Sequence, residues 1–326
     1  MTLTKTPFTI TAGPSLLIAA AFGILSFAPA AQAQVFQLSR DQMIRYTPQN
    51  PFDRFPDGRP KVPDELLEKF KKMSAEEVLS IIRRGYPNQY VDGFHILSPG
   101  KIMVGRAMTL QLMPSRPDVS DVDQEAWRQK NPGRLSHQTA LDLLQKGDVF
   151  VADALGNVDA GGIVGDNLAY YIWKTTGVGF VIDGAIRDLQ GIAEFGMSGY
   201  YRAAVPPAIT NLMVTGINVP VRIGHATVMP GDVVFGDREG VYFIPPHLVK
   251  IVIDEAEITH VHDEWTKKKF DEGKYKSTDI YGSPRDPALI KEYNDYLREK
   301  VGQQVYDEYQ KRRQGAPGPQ ARPPQR

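Results

Sequence analysis

The chain has 326 residues, enough for one large domain or two small ones, with the 42% hydrophobic and 23% charged content of an ordinary globular protein. Lys+Arg and Asp+Glu both number 38, so no net field draws in nucleic acid or anionic membrane. Cysteine is absent, which excludes disulfides, thiolate nucleophiles and Cys-ligated zinc.

Lys5 precedes a small apolar run, Leu16–Phe27, and Ala31-Gln32-Ala33 follows with the small-x-small pattern of a signal-peptidase site. The run is too short for a membrane span, so residues 1–33 read as a signal peptide cleaved after Ala33. That address implies a periplasmic or secreted protein with no membrane attachment once processed. Residues 34–89 come next. To about residue 70 they are rich in proline and charge and read as an extended arm, docked on the domain or on a neighbouring subunit through Phe52 and Phe55. Pro63–Arg84 carries a helix signal, with Ser74 to Glu77 as a capping box ahead of Val78, Leu79, Ile81 and Ile82.

Residues 90–265 hold the main domain. Strands are expected over Lys101–Leu112, Asp148–Ala152 and Gly179–Ile182, alternating with helices over Ser136–Lys146, Val164–Thr176 and Leu189–Phe195. Short strands follow at Val219–Ile223, Asp232–Phe235 and Val241–Ile244, and His247–Val261 closes as a helix. Alternation early and strands in series late predict a three-layer α/β domain with a partly parallel sheet. Residues 266–313 are a charged C-terminal extension with a helix near Pro287–Gln310, and residues 314–326 have nothing to bury and read as disordered.

The segment Gly161–Asp188 is the richest in chemistry. A glycine-rich turn opens a helix, offering free N–H groups and a positive dipole end to a carboxylate or phosphate. The following strand ends in Arg187-Asp188, a permanent cation with a rigid donor fork beside a hard oxygen ligand for Mg²⁺. Such a turn also serves as a ligand-free strand–helix connection, and such a pair as a surface ion pair. The glycines are not in G-x-G-x-x-G order and no Walker A lysine follows, so nucleotide binding is not indicated. His260 and His262 with Asp263 and Glu264 are ligand types, yet i and i+2 diverge on a helix. His137 reads as half-buried, and Tyr170, Tyr171 and Trp173 as helix packing. There is no nucleophile elbow, and nothing argues for a buried, activated Lys174.

These residues resemble the RraA-like family, which includes class II pyruvate aldolases acting on 4-hydroxy-4-methyl-2-oxoglutarate. Val104 to Thr109, His137 to Ala140, Lys146-Gly147-Asp148-Val149, Pro230 to Val234, Asp237 and Gly240-Val241 match in order. Asp166 precedes Arg187-Asp188 by the family's acidic-x20-Arg-Asp spacing. The resemblance implies a swivelling β/β/α domain, here with an N-terminal arm and a C-terminal helical tail, assembled as a homotrimer or hexamer with sites between subunits. It implies Asp188 as ligand of Mg²⁺ or Mn²⁺, Arg187 on substrate oxygen, and the amides of Gly165, Asp166, Asn167 and Leu168 around the substrate carboxylate. Asp166 would also support the metal's water shell, and Glu264 would reach a neighbouring subunit's site.

The implied activity is a metal-dependent lyase that cleaves or decarboxylates 2-oxo acids through a pyruvate enolate. Alternatives are a non-catalytic binding protein, like the family's ribonuclease-regulating namesakes, or a hydratase, lactonase or isomerase on the same scaffold. Three features depart from the family: the signal, the arm and tail, and Asp153 to Gly156 in place of a glycine-rich loop. No cofactor motif of a menaquinone methyltransferase is visible.

Overall fold

The computed structural model describes residues 1–2, 36–282 and 284–315; all but the first two residues of the expected signal peptide, and its cleavage site, lie outside them, as do residues 316–326. The described chain from Phe36 opens with α1 (Arg40–Tyr46), α2 (Asp64–Phe70) and α3 (Ala75–Ile82). Next come β1 (Tyr90–Val91), β2 (His95–Ile96), the long strand β3 (Met103–Pro114), α4 (Pro117–Arg128), α5 (His137–Leu141) and β4 (Asp148–Asn157). Then follow α6 (Asp166–Thr176), β5 (Gly179–Ile186), α7 (Leu189–Ala193), β6 (Ser198–Ala204) and β7 (Leu212–Ile217). The last strands are β8 (Val221–Ile223), β9 (Ala226–Val228), β10 (Val233–Gly236) and β11 (Val241–Ile244). The chain closes with α8 (Val249–Asp271), α9 (Ser277–Ile280), α10 (Pro287–Val301) and α11 (Gln303–Gly315).

Strands β3, β4, β5 and β6 run parallel in sequence order, and every residue of β5 is buried. Unbroken apolar strands of this kind require cover on both faces. One face receives α5, α6 and α7, with Phe150, Phe180, Ile182 and Ile172 fully buried between them. The other receives the β8–β9 hairpin, whose Ile223, Ala226 and Val228 pack on Val151 and Val181. Antiparallel β10 and β11 extend the sheet beyond β3, and α2, α3 and α8 cover that wing. The result is the expected α/β domain of β/β/α layers.

The expected capping box holds. The Ser74 hydroxyl accepts from Glu77 N and the Glu77 carboxylate accepts from Ser74 N. Several boundaries differ from the sequence reading. Pro63–Arg84 is two helices rather than one, and the arm contains α1. Strand β4 continues through Asp153–Asn157, with Leu155 and Gly156 at positive φ where the register slips. Helix α8 passes through 265–266 to Asp271, because Trp265, Thr266 and Lys269 continue its buried side. The helix expected over Pro287–Gln310 breaks at Gly302, and α11 extends into the first two residues expected to be disordered.

The arm is docked by buried charge. Arg59, 1% exposed, donates two parallel hydrogen bonds of 2.9 Å to Asp148, lies over the Phe55 ring and reaches the Ala107 carbonyl. Arg106, also buried, donates to Asp64, to Val62 O and to Lys146 O. Pro60 fits against Gly231, whose φ of 87° and lack of a Cβ permit the approach. Removing one member of such a pair strands the other charge, so Arg59→Ala should cost about 3–5 kcal/mol in urea unfolding. Asp64→Ala, at a carboxylate 67% exposed, should cost less than about 1 kcal/mol.

The same turn buries Asp232, which accepts from Met229 N at 2.9 Å; burial pushes its carboxyl up to about 7 from 3.8. Between those values the folded chain keeps a proton the unfolded chain has released. Stability should therefore fall as pH rises from about 4 to about 7, and urea midpoints of Asp232→Asn should lack that component.

Candidate active site

The site forms where the carboxyl ends of β4 and β5 meet the N-terminus of α6. Beyond β5 the chain stays bonded to the glycine turn: Ile163 N donates to Ala185 O and Arg187 N to Val164 O, both at 2.9 Å. A Cβ on Gly162 would stand 2.7 Å from Arg187 N and Ile186 C, so only glycine allows this approach. On the other side Gly162 N donates to Pro207 O and Ile209 N to Gly162 O. The turn is thus pinned from two directions.

Gly165 is the N-cap of α6, and the charged pair lies directly over it. A Cβ there would meet Asp188 Oδ2 at 2.5 Å and Arg187 Nε at 3.0 Å. Arg187 Nε is 3.6 Å from Asp188 Oδ2, and both side chains are more than a third exposed, so the pair is open to solvent. Asp188 sits in the left-handed region (φ 58°, ψ 38°) as N-cap of α7, its carbonyl accepting from Ile192 N. Left-handed backbone at a non-glycine residue is uncommon, and here it aims the carboxylate back across the strand end.

Asp166 begins α6 and packs against Gly191 of α7, where an added Cβ would lie 3.2 Å from Asp166 Cβ. Its Oδ1 accepts from Asn167 N at 2.7 Å. Among the described residues the amides of Asp166 and Leu168 have no acceptor, so they remain open to an anion at the positive helix end. The structure therefore brings Gly165, Asp166, Asn167, Leu168, Arg187 and Asp188 together.

A hard divalent cation suits this donor set. Mg²⁺ needs only one or two carboxylates and otherwise keeps water or takes substrate oxygen. Asp188 offers a carboxylate oxygen on the open side of a cradle that a side chain at Gly165 would fill. Among the described residues no cluster of three or more His, Cys, Asp or Glu side chains forms a closed metal cage.

Glu264 lies elsewhere on the chain's own surface. It accepts from Tyr296 at 2.7 Å and from Lys300 at 2.9 Å, bonds that lower its pKa. His260 approaches Glu77, whereas His262 Nε2 contacts Gly282 O, so the two imidazoles have different partners. Burial lowers the pKa of His137 at the start of α5. Lys174 lies over the rings of Tyr170 and Trp173.

A buried pair of carboxylates also forms where the local sequence indicates none. Asp153 and Asp183 are register partners on β4 and β5, both 2% exposed. Asp183 accepts from Arg202 Nε at 2.7 Å and Gly224 N at 2.8 Å; Asp153 accepts from Leu155 N and Arg222 N. Burial, and then the neighbouring Asp183, push the Asp153 carboxyl up. The signal was present in the parallel endings Phe150-Val151-Ala152-Asp153 and Phe180-Val181-Ile182-Asp183.

A family model described as RraA-like, Aldolase/RraA, matches residues 76–243. A Halalkalibacterium halodurans protein provisionally named 4-hydroxy-4-methyl-2-oxoglutarate aldolase is 35% identical over 119 residues, covering 36% of this chain and 56% of that protein. One of the same provisional name from Ectopseudomonas mendocina is 32% identical over 108 residues, covering 33% of this chain and 66% of its own length. The chain thus spans about half to two thirds of these relatives. Among solved structures, Streptomyces coelicolor RraAS2 is described as an unusual member of the RNase ES inhibitor RraA protein family. It is 27% identical with a TM-score of 0.55, covering 66% of this chain and all of its own. A Pseudomonas syringae protein at 20% identity and TM-score 0.56, covering 69% of this chain and 94% of its own, shares the fold.

The backbone at Asp188 separates structural from chemical effects. Asp188→Asn should unfold within about 0.5 kcal/mol of the parent in urea, because asparagine tolerates left-handed backbone, whereas Asp188→Val should lose about 1–2 kcal/mol.

Proposed function

The chain belongs to the RraA-like family, and from that membership we propose that it is a divalent-metal-dependent carbon–carbon lyase acting on small 2-oxo acids. The observation that carries the reading is the Arg187–Asp188 pair held over Gly165 beside the open amides of α6. In this reading the substrate carboxylate occupies the Asp166 and Leu168 amides, at the positive helix end. A divalent cation held by Asp188 would supply Lewis-acid polarisation of the 2-oxo group and stabilise the enolate charge.

Arg187 directs its guanidinium to the same oxygen, where negative charge grows as the bond breaks. In the retro-aldol direction the 4-hydroxyl loses its proton, the C3–C4 bond breaks and its electron pair becomes pyruvate enolate. Asp166 relays that proton through water and returns one to C3, giving pyruvate. Decarboxylation of oxaloacetate reaches the same enolate with CO₂ as leaving group. Glu264 would contribute from a neighbouring subunit of a homotrimer or hexamer, and the protein would work in the periplasm or outside the cell. The likeness to the Streptomyces coelicolor protein favours a second reading, a non-catalytic RraA-like binding protein.

Residues 34–326 should release pyruvate from oxaloacetate or 4-hydroxy-4-methyl-2-oxoglutarate with Mg²⁺ or Mn²⁺, and EDTA should abolish it. Asp188→Asn and Arg187→Lys should each lower kcat by about a hundredfold or more. Full metal-dependent activity in Asp188→Asn would overturn the assignment. Absence of both pyruvate release and metal binding would favour the binding protein.

A further inference from the structure

A cavity of about 480 Å³ opens between α8 and the pair α10–α11, within the size range of small-molecule sites. Its charged lining is lopsided. Arg84, Arg312 and Arg313 face it, against a single acid, Glu255. Glu255 is already engaged, accepting from Arg312 Nε at 3.0 Å. The Nη1 nitrogen of Arg312 stands 3.6 Å from Asp254, while Nη2 is buried with no hydrogen-bond partner among the described residues. An unsatisfied buried donor of this kind is costly and signals a missing acceptor. Among the described residues Arg84 and Arg313 have no carboxylate partner; Arg313 lies over the Tyr309 ring.

The rest of the wall is apolar or aromatic. Ile258, Ile290, Tyr293 and Tyr309 line it, and the Tyr293 hydroxyl, whose pKa burial raises, is a further donor. Guanidinium forks match a carboxylate, and ring and isoleucine surfaces match a flat apolar body. We propose that this cavity is a second ligand site, which takes one small organic anion per chain with its carboxylate on an aromatic or apolar body. The site lies where the C-terminal extension meets α8 and Arg84, and is separate from Asp188. Its occupant would tie α11 to α8, the helix whose Glu264 is already held by Tyr296 and Lys300 of α10.

Titration calorimetry of the full chain at about 0.15 M ionic strength tests this, with 4-hydroxybenzoate, citrate and inorganic phosphate as probes. The expected result is saturable binding of 4-hydroxybenzoate, one per chain, with citrate and phosphate at least about tenfold weaker. Arg84→Ala/Arg313→Ala, both at exposed positions, should weaken it by about tenfold or more with an unchanged melting temperature. Ile290→Glu, which places a like charge at the mouth, should do the same. Asp188→Asn should leave it unaltered, so the result is independent of the lyase reading. The proposal is overturned by absence of saturable binding, by phosphate or citrate binding as tightly, or by binding lost in Asp188→Asn and kept in the arginine variant.

Discussion

The ion pair between Arg59 and Asp148 is the constraint on which the rest of the chain is hung. Two charges withdrawn from water at this depth are costly: burial pushes the Asp148 carboxyl up against the pull of Arg59, and the pair rests on the near-ideal geometry of its parallel 2.9 Å bonds. Asp148 also accepts from Gln145 N, so the same carboxylate shapes the turn that starts β4. Arg106, its register partner on β3, is fixed by Val62 O and Lys146 O. From that origin the parallel register runs unbroken to Gln111 and Asp153. The arm is therefore tied to the sheet by buried charge, although the family model begins only at residue 76.

The candidate site depends on what is missing at three glycines. Gly162 lets the turn press against Arg187, Gly165 leaves room for the Asp188 carboxylate, and Gly191 accepts Asp166. Each absence of a Cβ admits a charged group to a strand end where a helix terminus supplies positive potential. Ligand sites of open parallel sheets arise at the carboxyl ends of strands for this reason. The cation and the carboxylate are adjacent in sequence, yet they serve one cleft because Asp188 leaves strand geometry at its own φ.

Much of this was legible from residue order. The Gly161–Asp188 segment announced its turn, helix and charged strand end, and Ser74 with Glu77 announced a helix start that the hydrogen bonds reproduce. What stayed hidden depends on distant partners. Nothing local marks Arg59 as buried, since its partner lies 89 residues on. β6 (Ser198–Ala204) was missed because its buried half reads Ser-Gly-Tyr-Tyr, and those positions become interior only beside β5. Helix α4 has no fully buried residue and meets the core through the partly buried Trp127. Glu264 was matched to the site by order along the chain, and its own-chain partners Tyr296 and Lys300 come from an extension that the family comparison does not cover.

Strand β3 has a further consequence, one of timing. Its neighbour on one side is β4, about forty residues later; on the other it is β7 over Leu110–Pro114 and β10, whose Val233 pairs with Arg106. β1 waits likewise for Val241 and Tyr242 of β11. Such non-local pairings make folding slow, because loop closure precedes any reward from contact. A chain emerging from its N-terminus therefore carries β3 with that edge unpaired until β7 exists, and its Met103–Arg106 half unpaired until β10 does. That half bears Met103 and Val104, and it is the place where an unfinished chain is most exposed to pairing with another copy.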